Sequence, residues 1–175
     1  MSDQERASGL AKQAFELWQS GKAESAIPFY QEALLLADPK YLGLPEYHGE
    51  FASVLSELGR SGEARQQFEL ALEVQRRLDG SEFTSSVAVA RYFLAEHLRA
   101  HEEPQLALQT IEPSLKPGVG LEWLLRCAKA FALSDLEQNE GARFEAHLAL
   151  ETVKSDEKRS ELVQIFSEKN ILWRN

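Results

Sequence analysis

Apolar residues recur along most of the chain at spacings of three and four positions, the period of an amphipathic α-helix. Glycine and proline are sparse and fall between these stretches. No stretch keeps the two-residue alternation typical of a half-buried strand. The pattern therefore predicts an all-α chain, with helices near residues 3–20, 23–37, 45–59, 62–78, 84–101, 104–115, 120–137, 140–153 and 156–169.

A repeat lies within these helices. Four pairs of alanines are spaced by twelve residues: Ala14 and Ala26, Ala52 and Ala64, Ala95 and Ala107, Ala130 and Ala142. A leucine stands nine residues before the second alanine of every pair: Leu17, Leu55, Leu98 and Leu133. Small residues let two helix backbones approach closely. The spacing therefore predicts helical hairpins, which must stack to cover their remaining apolar faces.

The first two copies are the most regular, with Gly21 and Gly59 at the turn between the helices. Their arrangement resembles the tetratricopeptide repeat family. Glu102 and Glu137 replace the turn glycine in the third and fourth copies, which are divergent. The tryptophan near the start of the family consensus is replaced in all copies, by Leu10, His48, Arg91 and Arg126. Successive second alanines lie 38, 43 and 35 residues apart, and the longest step is similar to the repeats of kinesin light chains.

The resemblance implies a right-handed α-α superhelix, a solenoid of about four helical hairpins plus a C-terminal capping helix. We expect a single domain over residues 1–175, with hairpins at about 3–38, 45–78, 84–116 and 120–153 and the cap and tail at 155–175. Ser155 is the expected N-cap of the last helix. The apolar tail from Ile171 to Asn175 either folds back or docks on another chain, and folding back is favoured.

The family resemblance also implies a binding groove lined by the first helix of each hairpin. Helical phase predicts its residues: Lys12, Phe15, Trp18, Glu50, Ser53, Glu57, Tyr92, Phe93, Glu96, Arg99, Phe131 and Asp135. Aromatic rings beside carboxylates suit a peptide or helix with apolar and basic residues. The alternative is that Phe15, Tyr92 and Phe131 only pack between neighbouring hairpins. The lysine and asparagine clamp that some family members use for acidic chaperone tails is missing, which disfavours such a ligand.

Charge and composition narrow the classes of partner. Lysine and arginine total 19 and aspartate and glutamate total 28, so the formal net charge is −9. Nucleic acids and anionic membranes are disfavoured, because both require a concentrated basic face. A single cysteine excludes an internal disulfide. The acidic N-terminus lacks a signal-peptide core, and no apolar run is long enough to span a bilayer, so we expect a cytoplasmic protein.

Few residues suggest reaction chemistry. His97 and His101 have the spacing of a two-histidine metal face, but no third ligand is evident nearby except Glu102 or Glu103, and we expect an exposed helix end. Cys127 is expected to be a small buried residue and not a nucleophile. No phosphate-binding glycine loop is found. We therefore expect neither an enzyme nor a site for a cofactor or metal.

These observations favour a non-enzymatic protein-protein interaction module that binds a peptide or helical segment of a partner protein. One alternative is a dedicated cytoplasmic chaperone or immunity protein that sequesters one secreted effector or toxin. Another is a self-associating scaffold. The connector from Asp38 to Pro45 is a second candidate binding segment, since it carries Tyr41, Leu42 and Leu44.

Overall fold

A computed structural model describes residues 2–172. Over that range the chain forms nine α-helices and one short 3-10 helix, with no strand. The α-helices are α1 (Asp3–Gln19), α2 (Ala23–Leu36), α3 (Leu44–Glu57), α4 (Ser61–Asp79), α5 (Ser85–Ala100), α6 (Pro104–Ile111), α7 (Glu122–Asp135), α8 (Asn139–Thr152) and α9 (Asp156–Glu168). Every helix predicted from the sequence is therefore confirmed.

The helix boundaries agree with the prediction within two residues, except for the end of α6, and the connector between α6 and α7 shows why two of them differ. Helix α6 ends at Ile111 instead of 115, and the chain continues as the 3-10 helix Glu112–Ser114. Pro113 accounts for this change, because it has no N–H to donate and its ring clashes with the preceding turn. Helix α7 begins at Glu122 instead of 120, because Leu121 adopts a left-handed backbone with φ of +61°.

The chain divides into two compact units, Met1–Gly80 and Ser81–Asn175. In the first unit α1 packs against α2, α2 against α3, and α3 against α4. In the second unit α5 packs against α6 and α7, α6 against α7, and α7 against α8, and α9 contacts α8. Each unit therefore holds two helical hairpins, and the second also holds α9. That the whole chain is a single domain stays a prediction.

The paired alanines of the repeat are buried in every hairpin. All eight have exposed fractions of 1% or less: Ala14, Ala26, Ala52, Ala64, Ala95, Ala107, Ala130 and Ala142. Larger side chains fill the space between hairpins. In the first unit the ring of buried Tyr30 stacks on that of Phe51, with centroids 5.7 Å apart. The small and bulky positions of the repeat thus have the packing roles that the sequence predicts.

The four hairpin turns share one geometry. In each, an N–H donates to the carbonyl of the repeat leucine five residues earlier, at 2.9–3.0 Å; the donors are Lys22, Arg60, Glu103 and Gln138. The residue before each donor has a left-handed backbone, with φ of +76° at Gly21, +72° at Gly59, +63° at Glu102 and +60° at Glu137. The two glutamates therefore adopt the backbone that glycine adopts in the first two hairpins.

A polar bridge recurs in the last three hairpins. It starts from the position where the family consensus has tryptophan and reaches the second helix 19 residues later. His48 Nδ1 lies 2.7 Å from Gln67 Oε1, and Arg126 Nη1 lies 2.7 Å from Glu145 Oε2. Arg91 Nη1 donates to the carbonyl oxygen of Thr110. A hydrogen bond thus replaces the packing of an indole ring.

Helix α9 covers the end of the second unit, as predicted. Ser155 caps it by accepting a hydrogen bond from the N–H of Lys158 at 3.2 Å. Phe166 is fully buried, and its ring lies 5.5 Å from that of Phe131. Ile171 also folds back, with 4% of its surface exposed and its N–H donating to the Phe166 carbonyl at 2.8 Å. Leu172 is half-buried, and residues 173–175 of the predicted tail lie outside the described residues.

Candidate functional site

The predicted groove residues of the first unit lie on α1 and α3. The Trp18 indole N–H donates to Glu57 Oε2 at 2.7 Å, and this bond joins the two helices. The Phe15 ring meets the Trp18 ring edge to face, with centroids 6.0 Å apart. Phe15 keeps 39% of its surface exposed, so an apolar ring remains available beside an acidic side chain.

The remaining predicted residues of this unit differ in their availability. Lys12 is exposed and lies 3.9 Å from Glu16 on its own helix. The Ser53 hydroxyl donates to the Gly49 carbonyl. Glu50 instead accepts a hydrogen bond from the Tyr30 hydroxyl at 3.0 Å, so it serves the contact between α2 and α3. Burial raises the pKa of Glu50, and the hydrogen bond from Tyr30 only partly offsets that effect.

In the second unit an aromatic pair lies on α5. The rings of Tyr92 and Phe93 meet at 70°, with centroids 5.5 Å apart. Phe93 is 50% exposed, whereas Tyr92 is only partly exposed. Burial raises the pKa of the Tyr92 hydroxyl, and the charge of Glu96 adds to this effect. Phe93 is therefore the residue of the pair that offers most apolar surface to a partner.

Arg99 connects α5 to α7. Its Nε donates to Glu96 Oε1 at 3.0 Å, and its Nη1 donates to Asp135. Its guanidinium also lies 5.3 Å from the centroid of the Phe131 ring, and Lys169 Nζ lies 5.2 Å from the same centroid. Phe131 is only 7% exposed. Its ring is thus occupied by contacts within the unit and has little surface left for a partner.

An open pocket lies at the C-terminal end of α5. It has a volume of about 420 Å³ and is lined by Glu96, Arg99, Ala100, Glu102, Pro104 and Asp135. Three of the residues predicted for the groove therefore line this one cavity: Glu96, Arg99 and Asp135. Glu102, which the sequence analysis did not place in the groove, is a fourth charged residue of the same cavity.

The two histidines of α5 are placed differently from the sequence-based expectation. His97 is buried, with 8% of its surface exposed, so this is not a fully exposed helix end. The His101 ring lies 4.3 Å from the His97 ring, and its Nδ1 is 2.8 Å from the His97 carbonyl oxygen. Across residues 2–172 no group of three potential metal-ligating side chains comes together. Cys127 is buried as expected, with 2% of its surface exposed.

Sequence reasoning missed the polar bridges between paired helices. His48, Arg91 and Arg126 were recognised only as departures from the consensus tryptophan. The sequence did contain a signal for two of them. A polar residue stands 19 positions after each, Gln67 after His48 and Glu145 after Arg126. In the first hairpin both corresponding positions are apolar.

Residues 45–77, which hold most of α3 and α4, match the family model of the tetratricopeptide repeat. The chain carries a tetratricopeptide repeat. No curated protein sequence matches the chain. Within the described residues no helix is long and apolar enough to cross a membrane.

Similarity to solved structures covers much more of the chain than that one repeat. MamA (41-end) from Desulfovibrio magneticus RS-1 is 17% identical, with a TM-score of 0.65 over 95% of this chain and 86% of that one. BtubC (BKLC) from P. vanneervenii is 16% identical, with a TM-score of 0.71 over 97% and 66%. A putative kinesin light chain from Podosopora anserina with TPR-like repeats is 13% identical, with a TM-score of 0.66 over 94% and 95%. The predicted all-α helical-repeat fold is confirmed, and it supports protein interaction in general terms.

Proposed function

We propose that the chain is a non-enzymatic protein-binding module that takes a peptide or helical segment of a partner on its first helices. Each unit has its own face of this kind, and we call each of them a first-helix surface. Their residues are Lys12, Phe15, Trp18, Ser53 and Glu57 in the first unit, and Tyr92, Phe93, Glu96, Arg99 and Asp135 in the second. Glu50 and Phe131 are left out, because contacts inside the units use them.

The observation that carries this proposal is the exposure of Phe15 and Phe93. Their exposed fractions are 39% and 50%, although the repeat alanines Ala14 and Ala95 on the same two helices are fully buried. An aromatic ring half in water gains free energy when a partner covers it, and such rings dominate the energetics of protein interfaces. The ring beside each of them has an acidic partner that would orient a bound segment. Trp18, which contacts Phe15, donates to Glu57, and the charge of Glu96 acts on Tyr92, which contacts Phe93.

The test uses the full chain and peptides that it selects from a random display library. Affinity for the selected peptides is then measured by fluorescence anisotropy for the wild type, Phe15→Ala and Phe93→Ala. We expect at least one substitution to weaken binding about tenfold, the loss typical of a central aromatic residue. Phe144→Ala is the matched control, because Phe144 is 63% exposed but lies on α8, a second helix.

Two results would count against the proposed binding surfaces. Loss of affinity in Phe144→Ala alone would move the site to the second helices and overturn the proposal. Failure to select any peptide would also count against it. A dedicated chaperone or immunity role, self-association and a cytoplasmic location stay predictions.

A further inference from the structure

The pocket at the end of α5 has an unbalanced set of charges. Three carboxylates line it, those of Glu96, Glu102 and Asp135, against the single guanidinium of Arg99. The other two lining residues, Ala100 and Pro104, are uncharged. The cavity of about 420 Å³ has room for a long side chain and its hydration water.

The guanidinium of Arg99, the only cation that lines this pocket, already forms ion pairs with other lining residues. Arg99 donates to both Glu96 and Asp135, and its side chain is only 13% exposed. An anionic ligand would have to compete with two carboxylates for the same N–H groups. Glu102 forms none of the ion pairs found among the described residues, and it is exposed. The free charge offered to a ligand is therefore negative.

The exposed Phe93 lies on the same helix, α5, as three of the residues that line the pocket. Phe93, Glu96 and Ala100 are spaced by three and four positions, so they share one face of the helix. Phe93 precedes Glu96 by about one turn, which is roughly 4.5 Å along the axis. One short segment of a partner can therefore reach both the ring and the carboxylates.

We infer that this pocket receives a basic side chain, arginine or lysine, from the same partner segment whose apolar residue covers Phe93. The inference rests on the proposed function and specifies the chemistry of the partner. Carboxylate oxygens keep free lone pairs after pairing with Arg99, so they can accept further N–H donors. A guanidinium suits such a site, because it donates in a planar fork to two oxygens at once.

The test is a double-mutant cycle on the full chain. A fluorescein-labelled peptide selected on the wild type is made in two forms, one with its arginine and one with citrulline, which keeps the shape but removes the charge. Both are measured against the wild type and Glu102→Gln. If the arginine contacts this carboxylate, we expect Glu102→Gln to weaken the arginine peptide about fivefold and the citrulline peptide hardly at all.

Glu137→Gln is the matched control. Glu137 occupies the corresponding turn of the next hairpin with the same left-handed backbone, φ of +60° against +63° at Glu102, but it does not line the pocket. It should leave both affinities unchanged. Equal losses in Glu102→Gln and Glu137→Gln would indicate only a general effect of net charge and would overturn the inference.

The result also separates this inference from the proposed function. If Phe93→Ala weakens binding while Glu102→Gln does not, the basic side chain lies elsewhere and only the pocket assignment fails. If neither the Phe15→Ala nor the Phe93→Ala substitution matters, both first-helix surfaces are wrong. Selected peptides that lack arginine and lysine altogether would overturn the inference before any variant is made.

Discussion

Arg126 of α7 and Glu145 of α8 form a buried ion pair, with Nη1 and Oε2 2.7 Å apart and both side chains at most 11% exposed. Arg126 also bonds Glu122 one turn earlier at 2.7 Å, and the second oxygen of Glu145 bonds Lys129 at 3.0 Å. The backbone N–H of Gly118 completes the group by donating to Glu122. Two carboxylates and two cations thus satisfy each other between the helices of the last hairpin.

Removal of the Arg126 side chain should therefore lower the stability of the folded chain. Arg126→Met would leave Glu122 and Glu145 buried with one partner fewer each, and we expect the free energy of unfolding to fall by about 3 kcal/mol. Urea denaturation followed by circular dichroism measures this change. Arg65→Met is the control, since the Arg65–Glu69 pair is exposed and should contribute less than about 1 kcal/mol. Equal losses in the two variants would show that the buried network adds nothing special.

The turn glutamates offer a route to higher stability. Glu102 and Glu137 hold left-handed backbones, which cost a non-glycine residue about 1 kcal/mol. Glu137→Gly should therefore raise the free energy of unfolding, although the greater freedom of glycine in the unfolded chain offsets part of the gain. Gly59→Ala should lower it by about 1 kcal/mol, because the same backbone then carries a Cβ. Thermal unfolding of both variants checks the signs, and destabilisation by Glu137→Gly would contradict the strain argument.

His48 should make the stability of the chain depend on pH. Burial lowers the pKa of His48, and the hydrogen bond to Gln67 offsets this only in part. The unfolded chain therefore binds a proton first as the pH falls below the ordinary histidine value of about 6.5. Stability contributed by neutral His48 is present above that value and is lost as the pH falls from it to the lowered pKa, with a slope of up to about 1.4 kcal/mol per pH unit. Below the lowered pKa both states bind the proton, and the loss stops.

The comparison of wild type with His48→Gln isolates this effect, because all other titrating groups are common to both proteins. Urea unfolding of each at a series of pH values above and below 6.5 gives the difference. We expect the variant to gain on the wild type as the pH decreases. A difference that stays constant with pH would show that His48 titrates alike in the folded and unfolded chains.

The sequence predicted the helices and the repeat well, because both depend on local spacing. The paired alanines are buried as that spacing requires. The largest boundary difference, four residues at the end of α6, arises where Pro113 interrupts the helical pattern. Site residues were harder to predict. Helical phase gives the face on which Glu50 and Phe131 lie, but not the partners, Tyr30 and Arg99, that occupy them.

Cys127 should be unreactive in the folded protein, as expected from its buried position. Burial raises the pKa of its thiol to about 12. At pH 8 only about one molecule in ten thousand would then carry the reactive thiolate. We expect its reaction with an aromatic disulfide reagent to be slow and to accelerate steeply with urea, because labelling requires opening of α7.

A Cys127→Ala chain with Ser86→Cys is the control, since position 86 is exposed and should react at once. Rapid labelling of Cys127 without urea would contradict this prediction, because it would show that α7 opens readily in the folded chain.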